Sequence, residues 1–110
     1  MKLCSITSAN DDIHKYKAIF CTCAGEETKC KDIQRKVTYF GAKNYKDYTM
    51  YSKIETKEVA DAKKRAYIAR HGATQEFTDP MAASTLSRFI LWNLPTFQDS
   101  LKDFKKRFNV

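Results

Sequence analysis

The side chains of this chain with the most reactive chemistry are four cysteines and two histidines, and their spacing restricts what they could do. Cys21 and Cys23 stand in a Cys-x-Cys step, which on a strand points both sulfurs to one face. With Cys30, and with Cys4 or His14 as a fourth donor, they would complete the sulfur and nitrogen set of a tetrahedral zinc site. The step is shorter than the Cys-x2-Cys of a zinc knuckle, however, and Ile19 and Phe20 beside it fit a strand that buries small thiols. Buried reduced thiols without metal are therefore the preferred reading, as suits a chain with no secretory h-region after Met1, Lys2, Leu3 and Cys4. His14 precedes a strand and His71 sits at a helix end. There is no nucleophile-elbow serine, and three glycines are too few for a phosphate loop. The expectation is a protein that is not an enzyme and carries no cofactor.

The remaining chemistry is electrostatic. Twenty Lys and Arg against thirteen Asp and Glu give a net charge of +7 and a pI near 9.3. That excess favours an acidic partner: nucleic acid, an anionic membrane surface or an acidic protein face. It is spread evenly, +3 over residues 1–55 and +4 over residues 56–110, so any positive patch must be assembled by folding. The densest runs are Lys63-Lys64-Arg65 with Arg70, and Lys102, Lys105, Lys106 and Arg107. Arg88 stands apart, because it is the only charge on an otherwise apolar helix and needs an anion; Glu76 or Asp79 is the expected partner. These nine cations are the candidate contacts for nucleic acid or an acidic partner. No phosphate-binding or base-reading motif accompanies them.

The elements that must position these groups are readable from punctuation and periodicity. Residues 3–8 alternate weakly, Asn10-Asp11-Asp12 is turn chemistry, and residues 16–23 alternate as a strand with one apolar face. Residues 25–29 read as a polar turn, and residues 35–40 as a third strand that Gly41 stops. Short connections make an antiparallel meander the simplest topology. Residues 44–53, with Tyr45, Tyr48 and Tyr51 among lysines, read as a loop or short strand. Aromatics interleaved with lysines are what a base-stacking surface uses, but rings covering the edge of a small sheet are the preferred account.

The C-terminal half reads as helices. Thr56 caps one whose small apolar stripe is Val59, Ala62, Ala66 and Ala69, or Ala62, Ala66 and Tyr67; Arg70 and His71 complement its dipole, and Gly72 stops it. Lys63, Lys64 and Arg65 project in three directions around that helix, so not all can belong to one patch. Asp79 and Pro80 open a second helix, with Leu86, Phe89, Ile90 and Trp92 enclosed and Pro95 ending it. Thr96 caps a third, with Phe97, Leu101, Phe104 and Phe108 as its buried stripe. The expected fold is a single α+β domain over residues 1–110. Residues 1–54 are mainly β, about three strands in a meander, packed against about three helices in residues 55–110. No segment is apolar enough to cross a bilayer, so a soluble protein without membrane insertion is expected.

An ordered string of motifs resembles a family of small proteins encoded by large nucleocytoplasmic DNA viruses of algae and protists. It comprises Gly41, Tyr45-x-Asp47-Tyr48-Thr49, Lys64-Arg65-x-Tyr67-Ile68-x-Arg70-His71, Asp79-Pro80, Leu86-Ser87-Arg88, Leu91-Trp92-Asn93 and Pro95-Thr96. The resemblance runs from about Arg35 to Val110. It departs from the pattern at Met81-Ala82-Ala83-Ser84, where a Thr-Ala-Gly-like run is usual, and at Leu94, where a Lys is common. It implies a viral origin and transfers no catalytic residue. Two functions then stand as expectations. The preferred one is a virion structural component, a minor capsid or core-associated adaptor found in the particle and, during assembly, in the host cytoplasm, with other virion proteins as partners. The alternative is DNA binding in genome packaging.

Overall fold

The computed structural model describes residues 1–22, 35–73 and 75–110. The fold is α+β, with a three-stranded antiparallel meander followed by helices. The strands are β1 (Lys2–Ser8), β2 (His14–Cys21) and β3 (Arg35–Ala42), in spatial order β1-β2-β3. The helices are α1 (Tyr48–Ile54), α2 (Lys57–Gly72), α3 (Ala83–Leu86) and α4 (Phe97–Phe108), and α3 runs straight on into a π-helical turn, Ser87–Leu91.

The weak alternation of β1 has a structural cause. Leu3 pairs with Phe20 and Ser5 with Ile19, so Cys4 is an extra residue at a bulge. Leu3 and Ile6 are three apart and would face opposite sides of a regular strand. The inserted residue puts both against Phe20 and Ala18. The same bulge brings the Cα atoms of Cys4 and Cys21 to 6.1 Å, and the two sulfurs are joined as a disulfide. Reduced thiols at these two positions are therefore corrected. The bond also removes both sulfurs from the sketched zinc set. Cys23 and Cys30, like the polar turn at 25–29, lie outside the described residues.

Leu3, Ala18, Phe20 and Phe40 from the sheet meet Leu86, Ile90 and Leu91 from the α3 segment and Phe104 from α4 in one buried core. Phe97, Leu101 and Phe108 pack against it, as the spacing of the α4 stripe requires. Thr38 ties β3 to the turn ahead of α3 by donating its hydroxyl to the Met81 carbonyl at 2.8 Å.

Three local expectations change. Where the tyrosine spacing suggests a loop or short strand, the chain forms α1, so the mainly β part ends at Ala42 rather than at residue 54. Buried Asp47 makes the difference by accepting from the Met50 amide as N-cap. The helix expected from Asp79 begins instead at Ala83. The Asp79 carboxylate accepts from the Met81 amide, two residues on, which closes an Asx turn before any helix starts. On α2 the small-residue stripe is not the buried one, since Val59, Ala62, Ala66 and Ala69 are exposed. Ala60, Lys64, Tyr67 and His71, at i, i+4, i+7 and i+11, form the inward seam, with a lysine inside it.

Candidate binding cleft

The α3 segment ends at a corner, and two of the candidate cations are built into it. Arg88 donates to the Trp92 carbonyl at 2.9 Å and Lys64 to the Asn93 carbonyl at 2.5 Å. Both occupy the negative end of the α3 segment, satisfying carbonyls that have no helical partner. Arg88 thus finds a backbone carbonyl and the Phe89 ring, 4.8 Å away, in place of the expected Glu76 or Asp79; among the described residues no carboxylate pairs with it. Burial lowers the pKa of the Lys64 ammonium, with Arg88 nearby adding to the effect. Burial, then Arg107, does the same to Arg88.

The other seven candidates separate. Lys63 lies 5.6 Å from the centre of the Tyr51 ring, and Arg107 pairs with Asp103 at 3.2 Å while covering Phe89. Arg65 and Lys106 are exposed. Lys102 and Lys105 line a shallow pocket on α4 with Gln98, Asp99 and Leu101. Arg70 lines a different and larger cleft, with no lining residue in common with the first. The nine cations do not form one patch.

The cleft around Arg70 has a volume of about 450 Å³, within the ~300–1,000 Å³ typical of small-ligand sites. One side is the end of β3, where Gly41 and Ala42 lead into the loop carrying Tyr45, Lys46 and Asp47. Another is the C-terminus of α2, with Tyr67, Arg70 and His71, and the floor is Ser84, Ser87, Leu91 and Trp92 of the α3 segment. Gly41 permits this closeness: its φ is +79°, and a Cβ there would stand 2.8 Å from Leu91 Cδ1. The π turn shapes that floor, with the Trp92 amide donating to the Ser87 carbonyl at 3.0 Å.

Three rings line up where the α2 side meets the floor. Tyr67 stacks on Trp92 with centroids 4.3 Å apart and planes 6° from parallel, and His71 lies 4.3 Å from Tyr67 on a tilt of 32°. Burial raises the Tyr67 pKa, with Arg88 and Arg70 acting against it, so this hydroxyl remains a neutral donor. Asp47, the one carboxylate among the described lining residues, is already engaged by Lys15 Nζ at 2.7 Å and by the Thr49 hydroxyl. Lys46 and Arg70 keep their charge exposed. The α2 C-terminus contributes roughly half a negative charge, less than these two cations supply. The cleft is net positive.

Of this constellation only Arg70 stands among the nine sequence candidates. The usable signal was the interleaving of tyrosine and lysine in residues 44–53, which placed Tyr45 beside Lys46. Gly41, Tyr45, Asp47, Tyr67, Arg70, His71, Ser87, Leu91 and Trp92 all belong to the motif string described above, and folding gathers them around this one cavity. Among the described residues no cluster of three or more His, Cys, Asp or Glu has the geometry to hold a metal ion. No helix of the described residues is long and apolar enough to cross a membrane. No family model, curated protein or solved structure matches the chain.

Proposed function

We propose that the protein is a non-enzymatic structural component of a virus particle, a minor capsid or core-associated adaptor that holds an acidic face of a neighbouring virion protein. The observation that carries the binding part is the unequal use of charge. Asp47 is taken up by Lys15, Asp61 by Lys57 and Tyr48, and Asp103 by Arg107 and Asn93, all within the fold. Lys63, Arg65, Arg70, Lys102, Lys105 and Lys106 stay exposed. Asp12, Glu55, Glu58, Glu76, Asp79 and Asp99 are exposed as well, but with three carboxylates neutralised by internal partners and a net charge of +7 the cations are in excess, which favours an acidic partner. The viral setting is supported by the motif string from Gly41 to Thr96; on this reading the protein resides in the virion and, during assembly, in the host cytoplasm. Mass spectrometry of purified particles of the encoding virus tests the reading: the protein is expected as a stoichiometric component, and its absence overturns the proposal.

A second reading, nucleic-acid binding in genome packaging, is favoured by Tyr45, which is 74% exposed and lines the same cleft as Lys46 and Arg70. Exposed rings among cations suit a single strand. Mobility-shift titrations at two salt concentrations separate the readings. Phosphate contacts predict a loss of affinity of about a hundredfold or more between low and moderate salt, and no shift at low salt removes this reading.

A further inference from the structure

We propose that the cleft between the end of β3 and the C-terminus of α2 is a binding site for a nucleotide, with the phosphate held by Arg70 and Lys46 and the flat base received against the aromatic side chains. This goes beyond the particle reading and does not depend on it. Three independent features converge on that ligand class. The first is size, since about 450 Å³ accommodates a single nucleotide but not a folded macromolecule.

The second is charge. Lys15 and Asp47 cancel at 2.7 Å, which leaves Lys46 and Arg70 as the uncompensated charges of the lining. A planar guanidinium from α2 and an ammonium from the loop after β3, lining one cavity, suit a phosphate better than a single carboxylate, because a phosphate offers oxygens in several directions. Ser84 and Ser87 line the same cleft, and a serine hydroxyl is a neutral donor suited to phosphate oxygens.

The third is the aromatic surface. Tyr67 stacks on Trp92 and contacts His71, so its ring is positioned by the fold itself without a ligand. Tyr45 is the opposite case: among the described residues it is the most exposed large apolar side chain, and no ring packs on it. A fold gains nothing from leaving such a ring in water, whereas a base stacking on it would cover it. Base stacking on a protein ring contributes about 1–3 kcal/mol.

A free mononucleotide and a nucleotide unit within a single strand share this chemistry. Trp92 is the only tryptophan of the chain and lines the cleft, so its fluorescence reports occupancy directly. Titration with AMP, with adenosine and with a twelve-nucleotide oligo(dA) is the test, run on the full chain. A saturable change with AMP assigns the site to the free nucleotide, and one with oligo(dA) alone assigns it to a strand; either supports the proposal. Adenosine is expected to bind at least about tenfold more weakly than AMP, because it lacks the charge-assisted contacts. Arg70→Ala is expected to cost about tenfold and Tyr45→Ala about fivefold or more. Both side chains are exposed, so these variants should fold. Lys53→Ala, which removes an exposed charge from α1 outside the cleft, controls for net charge and should bind as the parent does. No saturable change with either nucleotide probe at millimolar concentration overturns the proposal, as does equal binding of AMP and adenosine or an equal loss in Lys53→Ala and Arg70→Ala. Particle composition does not bear on any of these readings, so the two proposals fail separately.

Discussion

Lys64 on α2 and Arg88 on the α3 segment, 24 positions apart, donate to the carbonyls of neighbouring residues, Asn93 and Trp92. Each therefore anchors the same corner, and each lies close enough to the other to lower the Lys64 pKa further. The arrangement predicts a particular pattern of stability loss. Lys64→Met and Arg88→Met should each cost about 1–2 kcal/mol, since each leaves a backbone carbonyl at the corner without its charged donor. The double variant should cost more than the two losses added, by about 0.5 kcal/mol, because each single substitution relieves the one repulsion and the sum of the two counts that relief twice. Urea denaturation of the four proteins measures the cycle, and strict additivity would contradict the coupling.

Gly41 sits where a left-handed backbone and a neighbouring side chain coincide. Its φ of +79° disfavours any L side chain, and a Cβ would meet Leu91 Cδ1 at 2.8 Å. Gly41→Ala should therefore lower stability by about 1–2 kcal/mol and perturb Trp92 fluorescence, since Leu91 and Trp92 are adjacent in the cleft floor. Gly72, whose added Cβ would meet nothing within 4 Å, is the comparison. Gly72→Ala should be near neutral, and thermal melts giving the two variants equal losses would refute the close-approach argument.

The sequence was most informative where one residue type has one local use. Thr56 and Thr96 both accept from the amide three residues on, at 3.3 and 3.2 Å, and the α4 stripe packs on the core as its spacing dictates. It was least informative where the deciding partner is distant. α1 depends on Asp47, which is held by Lys15, 32 positions earlier. The α2 seam contains Lys64, so counting small apolar residues chose the wrong face. The Cys4 to Cys21 bond needed the bulge at Cys4, which alternation alone does not reveal. The cleft was half legible for the same reason. Arg70 stood out by charge, whereas Tyr67 and Trp92 matter through a stacking that only the tertiary fold creates.

Asp47 concentrates several roles in one buried carboxylate. It caps α1, accepts from the Thr49 hydroxyl and pairs with Lys15 at 2.7 Å, with only 4% of its side chain and 13% of the lysine's exposed. Asp47→Ala should cost about 3–5 kcal/mol, because it leaves the Lys15 ammonium enclosed without a counter-charge. Adding Lys15→Met to that variant should restore part of the loss, since the unpaired charge is then gone. Urea midpoints of the parent, single and double variants decide the matter, and a single-variant loss below about 1 kcal/mol would mean the pair contributes no more than a surface ion pair.

Asp11 supplies a pH dependence whose sign follows from its hydrogen bonds. Its carboxylate accepts from the His14 amide at 2.6 Å, from the His14 ring at 3.0 Å and from the Ile13 amide at 2.9 Å. These contacts, led by the His14 amide, lower its pKa from 3.8 to about 2. Between those values the unfolded chain binds a proton that the folded chain does not, so stability rises with pH through this window. The contribution is fully present above about pH 4 and is lost as pH falls through about 2. Asp11→Asn keeps a turn-forming side chain that cannot ionise. Melting temperatures of the parent should therefore fall more steeply than those of Asp11→Asn between pH 4.5 and 2. Parallel curves would show that the turn at the start of β2 holds no preference for the ionised carboxylate.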